Sequence, residues 1–324
     1  MVSLRQLIAL TGLTALEAIR QPICLILTLS CVILTGVMPM VLLHQFTESG
    51  KLARDGGLAF QFVIGLFVAG VAASSALSRE MREGTAATVL SKPVPRPVFL
   101  FSKFLGLVIV IAGFTLCAAT ATLMAGRVAE QWVAGSGYVI DWRAGKLLLG
   151  APALALILAG LLNFVRRTSF SSTAFLLLML SLLGALLLSG SYDRTGTPAA
   201  FDLRVDWRIL AASFMVGLAL VAVAALALSL STRLSTVPTL TICVIMFVGG
   251  LMSDTLLGGK LDASFLAAVA YAVIPNWMSF WYADALTGGG IVSAPYLLQS
   301  TLYALLYTGA VLLLGMLSFR DVDL

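Results

Sequence analysis

The residue types able to do covalent or metal chemistry are few, and their spacing suits none of it. The single histidine, His44, sits at the end of an apolar run, and the four cysteines, Cys24, Cys31, Cys117 and Cys243, all fall inside apolar runs. That pattern fits neither a disulfide framework nor a zinc site, and a serine nucleophile would have only His44 as an imidazole base. A phosphate-cradling loop needs glycines, a lysine and then Ser or Thr. Gly50-Lys51, Gly145-Lys146 and Gly259-Lys260 each continue into leucine instead, and no His-Glu-x-x-His pair exists. The expectation is a chain that is not an enzyme, binds no metal or cofactor of its own and does not hydrolyse nucleotide.

The same scarcity bears on transport chemistry. A carrier driven by protons or ions needs groups at membrane depth that titrate or coordinate. Asn163 and Asp254 lie near the ends of apolar runs, and no Asp, Glu, Lys or Arg falls at the centre of one. Energy for any transport would have to enter from outside the bilayer core.

The elements that carry these residues follow from composition. Hydrophobic residues make up 60% of the 324 and charged ones 11%, with a mean hydropathy of +1.03, against about 25% charged in ordinary soluble domains. Lipid is therefore the solvent. Only helices or closed barrels satisfy their backbone there, and apolar runs of about 20 residues choose helices. The expected fold class is all-α, a single polytopic transmembrane domain over 1–324. About eight transmembrane helices are read at 22–43, 58–77, 104–125, 147–165, 170–188, 209–230, 237–256 and 296–318. Arg20 directly before the first run, with no small-residue cleavage site after it, reads as an anchor rather than a cleaved signal.

Before the first span, residues 3–20 place Leu4, Leu7, Ile8, Leu13, Leu16 and Ile19 among Arg5, Glu17 and Arg20, the pattern of an interfacial helix. An even span count puts both termini on one side. The two shortest loops, 166–169 and 231–236, are basic without any acid, which places both termini in the cytoplasm. Residues 258–294 then lie outside, and 265–275, too short to span, reads as re-entrant or interfacial, followed by Trp277, Phe280, Trp281 and Tyr282 at the headgroups. Gly65, Ala69 and Ala73 repeat at four-residue spacing in the second span, a stripe for helix packing within the chain or for a dimer seam.

One cytoplasmic loop, 79–103, is long. It reads Arg79-Glu80-Met81-Arg82-Glu83-Gly84-Thr85, then an apolar stretch to Leu90, then Lys92-Pro93, Arg96 and Lys103 opening the next span with Gly106. Alternating charged and apolar residues suit a short amphipathic helix at the membrane surface, followed by a proline-stiffened connector. From charge alone, a positive-inside anchor is the plainer reading.

The order of these residues resembles the first cytoplasmic loop of ABC-type exporter permeases of the ABC-2 family, whose fold is the type V exporter. Looser similarities follow along nearly the whole chain: the amphipathic leading helix, the turn at 227–235, Ile274-Pro275-Asn276, and Phe319-Arg320-Asp321. The chain departs from the usual six spans by an extra hairpin at 147–188, which preserves the orientation of everything after it.

The resemblance implies the membrane subunit of an ATP-driven exporter in a bacterial inner membrane, working with a second permease copy or homologue. It also implies two separate cytoplasmic ABC ATPase subunits that carry the ATP and Mg. On that reading Arg79, Glu80, Met81, Arg82, Glu83, Gly84, Thr85, Leu90, Lys92, Pro93 and Arg96 form the ATPase-coupling element, a cytoplasmic coupling helix with its exit. Membrane lipid and an accessory envelope protein are compatible partners, and nucleic acid is not. Two other readings stay open: an ATPase-driven anchor or assembly component acting on envelope proteins without moving a solute, and an ion-coupled carrier or channel, for which a hydrophobic gate would need no buried charge.

Overall fold

The computed structural model describes residues 4–41, 49–82, 95–129, 131–133, 137–192, 194, 197–198, 205–258, 265–287 and 293–320. The chain is a helical bundle. In order it runs α1 (Leu4–Arg20), α2 (Pro22–Val41), α3 (Ser49–Arg82), α4 (Arg96–Val128), a small hairpin of β1 (Gln131–Val133) and β2 (Gly137–Val139), α5 (Trp142–Arg166), α6 (Phe170–Gly190) and α7 (Arg208–Leu230). It continues through α8 (Thr236–Leu251), α9 (Ser253–Leu257), α10 (Phe265–Val273), a 3-10 turn (Trp277–Phe280), α11 (Ala283–Thr287) and α12 (Ala294–Arg320). Seven helices, α2 to α7 and α12, are long and apolar enough to cross a membrane, and α8, with 16 residues, is a shorter apolar helix.

The main core joins α1, α2, α3, α4, α7, α8 and α12 through residues such as Phe62, Leu77, Phe99, Phe114, Leu220, Phe247 and Phe319. One buried polar pair links α3 to α7. Gln61 of α3 donates to the Ser213 carbonyl at 2.9 Å and accepts from the Ser213 hydroxyl at 2.7 Å, so this fully buried amide leaves neither end of its side chain without a partner. A second core, built from Val32, Cys117, Leu148, Leu178 and Leu182, attaches the α5–α6 hairpin to α2 and α4. The hairpin turns tightly at 167–169. Arg167 takes a left-handed conformation there (φ 52°), and the Asn163 side chain donates to the Thr168 carbonyl at 2.5 Å.

Gly65 of the small-residue stripe faces inward: a Cβ there would sit 2.3 Å from Leu220 and 2.9 Å from Phe114. Ala69 and Ala73 are fully buried in the same core. The stripe thus packs between helices of one chain.

Two features depart from the hydropathy reading. The span expected over 237–256 is interrupted: α8 stops at Leu251, Met252 breaks it, and α9 is a separate piece. The cause is long-range. Gly250 lies against the segment after α10, where a Cβ would be 2.2 Å from the Pro275 carbonyl oxygen and 2.4 Å from Trp277. That segment enters the bundle and turns back at 274–276. The Trp277 indole donates to the Met246 carbonyl at 3.1 Å, and the Tyr307 hydroxyl donates to the Val273 carbonyl at 3.1 Å. Irregular backbone at such depth needs partners supplied by protein. Tyr303 accepts from the Asn276 amide at 3.0 Å, while Asp254 accepts from Tyr271 at 2.7 Å and from the Asn276 side chain at 2.8 Å.

The second departure is the β1–β2 hairpin, a two-stranded antiparallel pair in register Trp132 to Tyr138. Arg127 from the last turn of α4 pairs with Asp141 at 2.9 Å and donates to the Tyr192 carbonyl. Asp141 also caps α5 by accepting from the Ala144 amide at 2.9 Å. One buried ion pair therefore ties the end of α4, the start of α5 and the segment after α6.

Candidate functional site on the loop face

The bundle has one face where the ends of α3, α5, α7 and α12 meet the starts of α2, α4, α6 and α8, with α1 beside them. The chain enters and leaves on this face. Of the residues read as the coupling element, Arg79, Glu80, Met81 and Arg82 form the last turn of α3, which runs unbroken for 34 residues, about 51 Å. Glu83, Gly84, Thr85, Leu90, Lys92 and Pro93 lie outside the described residues. Arg96 opens α4, with Pro95 in extended conformation at its N-cap and Pro97 in the first turn, where a missing N–H costs nothing.

Both legs of the loop are tied to other helices. On the α3 leg, Gln21, between α1 and α2, donates to the Ser75 hydroxyl at 2.8 Å and accepts from it at 3.0 Å. On the α4 leg, Arg96 donates to the Phe319 and Arg320 carbonyls at 3.4 and 2.5 Å, satisfying free carbonyls at the C-terminus of α12 and favoured by the negative end of its dipole. Phe99 and Phe319 stack behind it with centroids 6.2 Å apart and planes 18° apart.

One turn further along α4, Lys103 is only 2% exposed. Its ammonium lies 3.6 Å from Glu17 of α1 and 5.5 Å from the centre of the Phe99 ring, a cation held by a carboxylate and a π face together. Gly106 then lets α1 cross in contact with α4, because a Cβ there would be 2.6 Å from Thr14 Cβ and 2.8 Å from the Thr11 carbonyl oxygen. Lys103 and Gly106 were noticed in the sequence only as part of a pattern. Their geometry gives each a role: one anchors α1 electrostatically, the other sets the closeness of the crossing.

The short α7–α8 turn reaches the same face. Arg233 donates to the Ser318 hydroxyl at 3.2 Å and to the Ser318 carbonyl at 2.9 Å, and Thr232 donates to the Ser318 hydroxyl at 3.2 Å. Two arginines, from α4 and from the α7–α8 turn, thus hold the end of α12. Sequence reasoning named Glu17 and Phe319 without their contacts and missed Phe99 and Ser318, since the partners are far away in the chain. Glu17 stands out in the sequence as the one acid on an otherwise apolar and basic helix.

Among the described residues no group of His, Cys, Asp or Glu could hold a metal ion. Short polar ties join the described ends of α3 and α4 to the segment between α1 and α2, to α1 and to the end of α12.

Residues 18–177 match the family model described as ABC-2 family transporter protein, a stretch that contains the α3–α4 loop and both of its helices. No curated protein and no solved structure matches the chain.

Proposed function

We propose, from the premise that this chain belongs through residues 18–177 to the ABC-2 transporter family and is a permease subunit of an ABC transporter, that it serves an exporter and takes its energy through the loop at 79–103. Two copies of a separate cytoplasmic ATPase would engage the loop tip, one beneath this chain and one beneath a second permease copy or homologue. The loop face is then cytoplasmic, in agreement with the acid-free basic turns at 166–169 and 231–236. The membrane is a bacterial inner membrane.

The observation that carries this reading is the bracing of the loop. Arg79–Arg82 form the last turn of α3, and Arg96 and Lys103 tie the other leg to α12 and α1. A loop that only skirted the membrane would need no such fastening. A coupling element needs it, because motion absorbed in a compliant linker does no work on the spans. Arg79, Glu80, Arg82 and Glu83 supply charges for rim ion pairs with the ATPase, and Met81 and Leu90 supply apolar contact.

Charge reversal tests the assignment. Glu80→Lys with Glu83→Lys is expected to abolish association with the ATPase, or its coupling, while the chain still inserts and folds. Normal ATP-driven transport by purified complexes carrying both changes would remove the loop from the mechanism.

A further inference from the structure

A cleft of about 600 Å³ opens on the side of the bundle between α7, α8, α10 and α12, within the size range of sites that hold small ligands. Its long walls are apolar, with Leu226 and Leu230 facing Val311 and Leu314. The hydroxyls along it are already engaged: Ser229 donates to the Val311 carbonyl at 2.9 Å, and Tyr307, at the deep end, donates to Val273. A ligand lying in the cleft would meet hydrocarbon and the face of a tyrosine ring.

The shallow end is different. Arg233 and Ser318 form the rim. The Arg233 guanidinium gives Nε and Nη2 to Ser318, and no carboxylate among the described residues pairs with it. The helices that line the cleft, α7, α8 and α12, contain no acidic residue at all. Among the described residues, Arg96 and Arg320 stand at the same end of α12 as Arg233, so the described charges at the rim are all positive.

The dimensions complete the description. Ser318 and Tyr307 are eleven positions apart on one helix, about 16 Å along its axis, and one leaflet of a bilayer has a hydrocarbon depth of about 15 Å. The cleft is one leaflet deep, apolar along its length, and basic only where that leaflet meets its headgroups.

We infer that this cleft binds one anionic phospholipid from the leaflet on the α3–α4 loop side, with an acyl chain along α12 down to Tyr307 and the phosphate on Arg233. A guanidinium presents its donors in a planar fork that matches phosphate geometry, and basic residues at the interface are what select anionic headgroups. A second copy of the chain would bring no acid to Arg233 from α7, α8 or α12, so the charge at the rim favours the lipid. The site does not depend on ATPase coupling, and its test involves no ATPase.

The full chain, purified in a neutral detergent, would be incubated with equal amounts of phosphatidylglycerol and phosphatidylcholine of identical acyl chains, and retained lipid read by native mass spectrometry. Phosphatidylglycerol is expected to be retained about fivefold over phosphatidylcholine, roughly the factor one arginine contributes at an anionic surface. Arg233→Gln is expected to bring the two to parity, and Ala310→Trp, which fills the cleft from an exposed wall position, to lose both. Inorganic phosphate should not displace the lipid, because the acyl chain supplies most of the contact; displacement by millimolar phosphate would identify a free-anion site and overturn the inference. Equal retention by the unaltered chain, or unchanged preference in Arg233→Gln with its melting temperature preserved, would also overturn it. So would a disulfide dimer formed by Leu314→Cys in place of lipid binding.

Discussion

The ion pair between Arg127 and Asp141 offers the most exacting test of the energetics, because both side chains are almost wholly withdrawn from solvent, at 6% and 3% exposure, and because Asp141 has two separable roles. Asn at position 141 keeps an oxygen that can accept from the Ala144 amide, so the α5 cap survives and only the charge is lost. Removing one member of a buried pair costs about 3–5 kcal/mol, since the other is left buried and uncompensated. Arg127 would retain its hydrogen bond to the Tyr192 carbonyl, which puts Asp141→Asn near the lower end, about 3 kcal/mol. Asp141→Ala removes the cap as well and should cost about 1 kcal/mol more. Combining Asp141→Asn with Arg127→Met takes away the stranded charge and should return stability to within about 1 kcal/mol of the unaltered chain. The assay is reversible unfolding of the full chain in detergent micelles, followed by helical circular dichroism. The reasoning fails if Asp141→Asn costs less than about 1 kcal/mol, or if the double variant is less stable than Asp141→Asn alone.

Two further outcomes follow from the same geometry. Gly106→Val would drive a side chain into Thr14 and the Thr11 backbone, so α1 must lift from α4; a loss of about 1–3 kcal/mol is expected, with greater proteolytic access to residues 4–20, whereas unchanged stability would mean the crossing is not tight. Asp206, just ahead of α7, is pushed up by burial, but hydrogen bonds from Arg208 at 2.7 and 3.0 Å and the charges of Arg208 and Arg54 outweigh that and hold its carboxyl below the ordinary range. A depressed folded pKa gives stability that is present above the unfolded value, about 3.9, and lost as pH falls through the folded value. Asp206→Asn should therefore show a smaller drop in stability than the unaltered chain on acidification from about pH 5 to about pH 2, and an equal drop would remove the linkage.

Most of the spans were legible because hydropathy decides which stretches enter lipid, and the tight basic turn at 166–169 between α5 and α6 emerges from the same signal. What escaped the sequence depends on partners distant along the chain. The break after Leu251 arises where Gly250 meets Pro275, and nothing in 237–256 by itself reports that contact. Arg96 was read as part of a charged loop, yet its carbonyl partners stand 223 and 224 positions away at the end of α12. Asp141 and Arg127 are separated by 14 residues across a hairpin, a spacing with no helical or strand periodicity to announce it. At the site itself, charge alone favoured a plain positive-inside anchor and the order of residues in 79–103 set the loop apart, but the contacts that tie its second leg to other helices, Glu17 beneath Lys103 and Phe319 beneath Phe99, are a property of the packed bundle.

The central claim is that a separate ATPase engages the tip of the α3–α4 loop. It is tested most directly by placing a photoreactive amino acid at Glu83 or Thr85 in the chain expressed in its own cells, with Lys146 on the opposite face as the control, and identifying what each position captures. The predicted result is a covalent adduct between the loop positions and a cytoplasmic subunit bearing nucleotide-binding motifs, and none from Lys146. Capture of that subunit from Lys146, or an inserted and folded chain whose loop positions capture no ATPase, would contradict it.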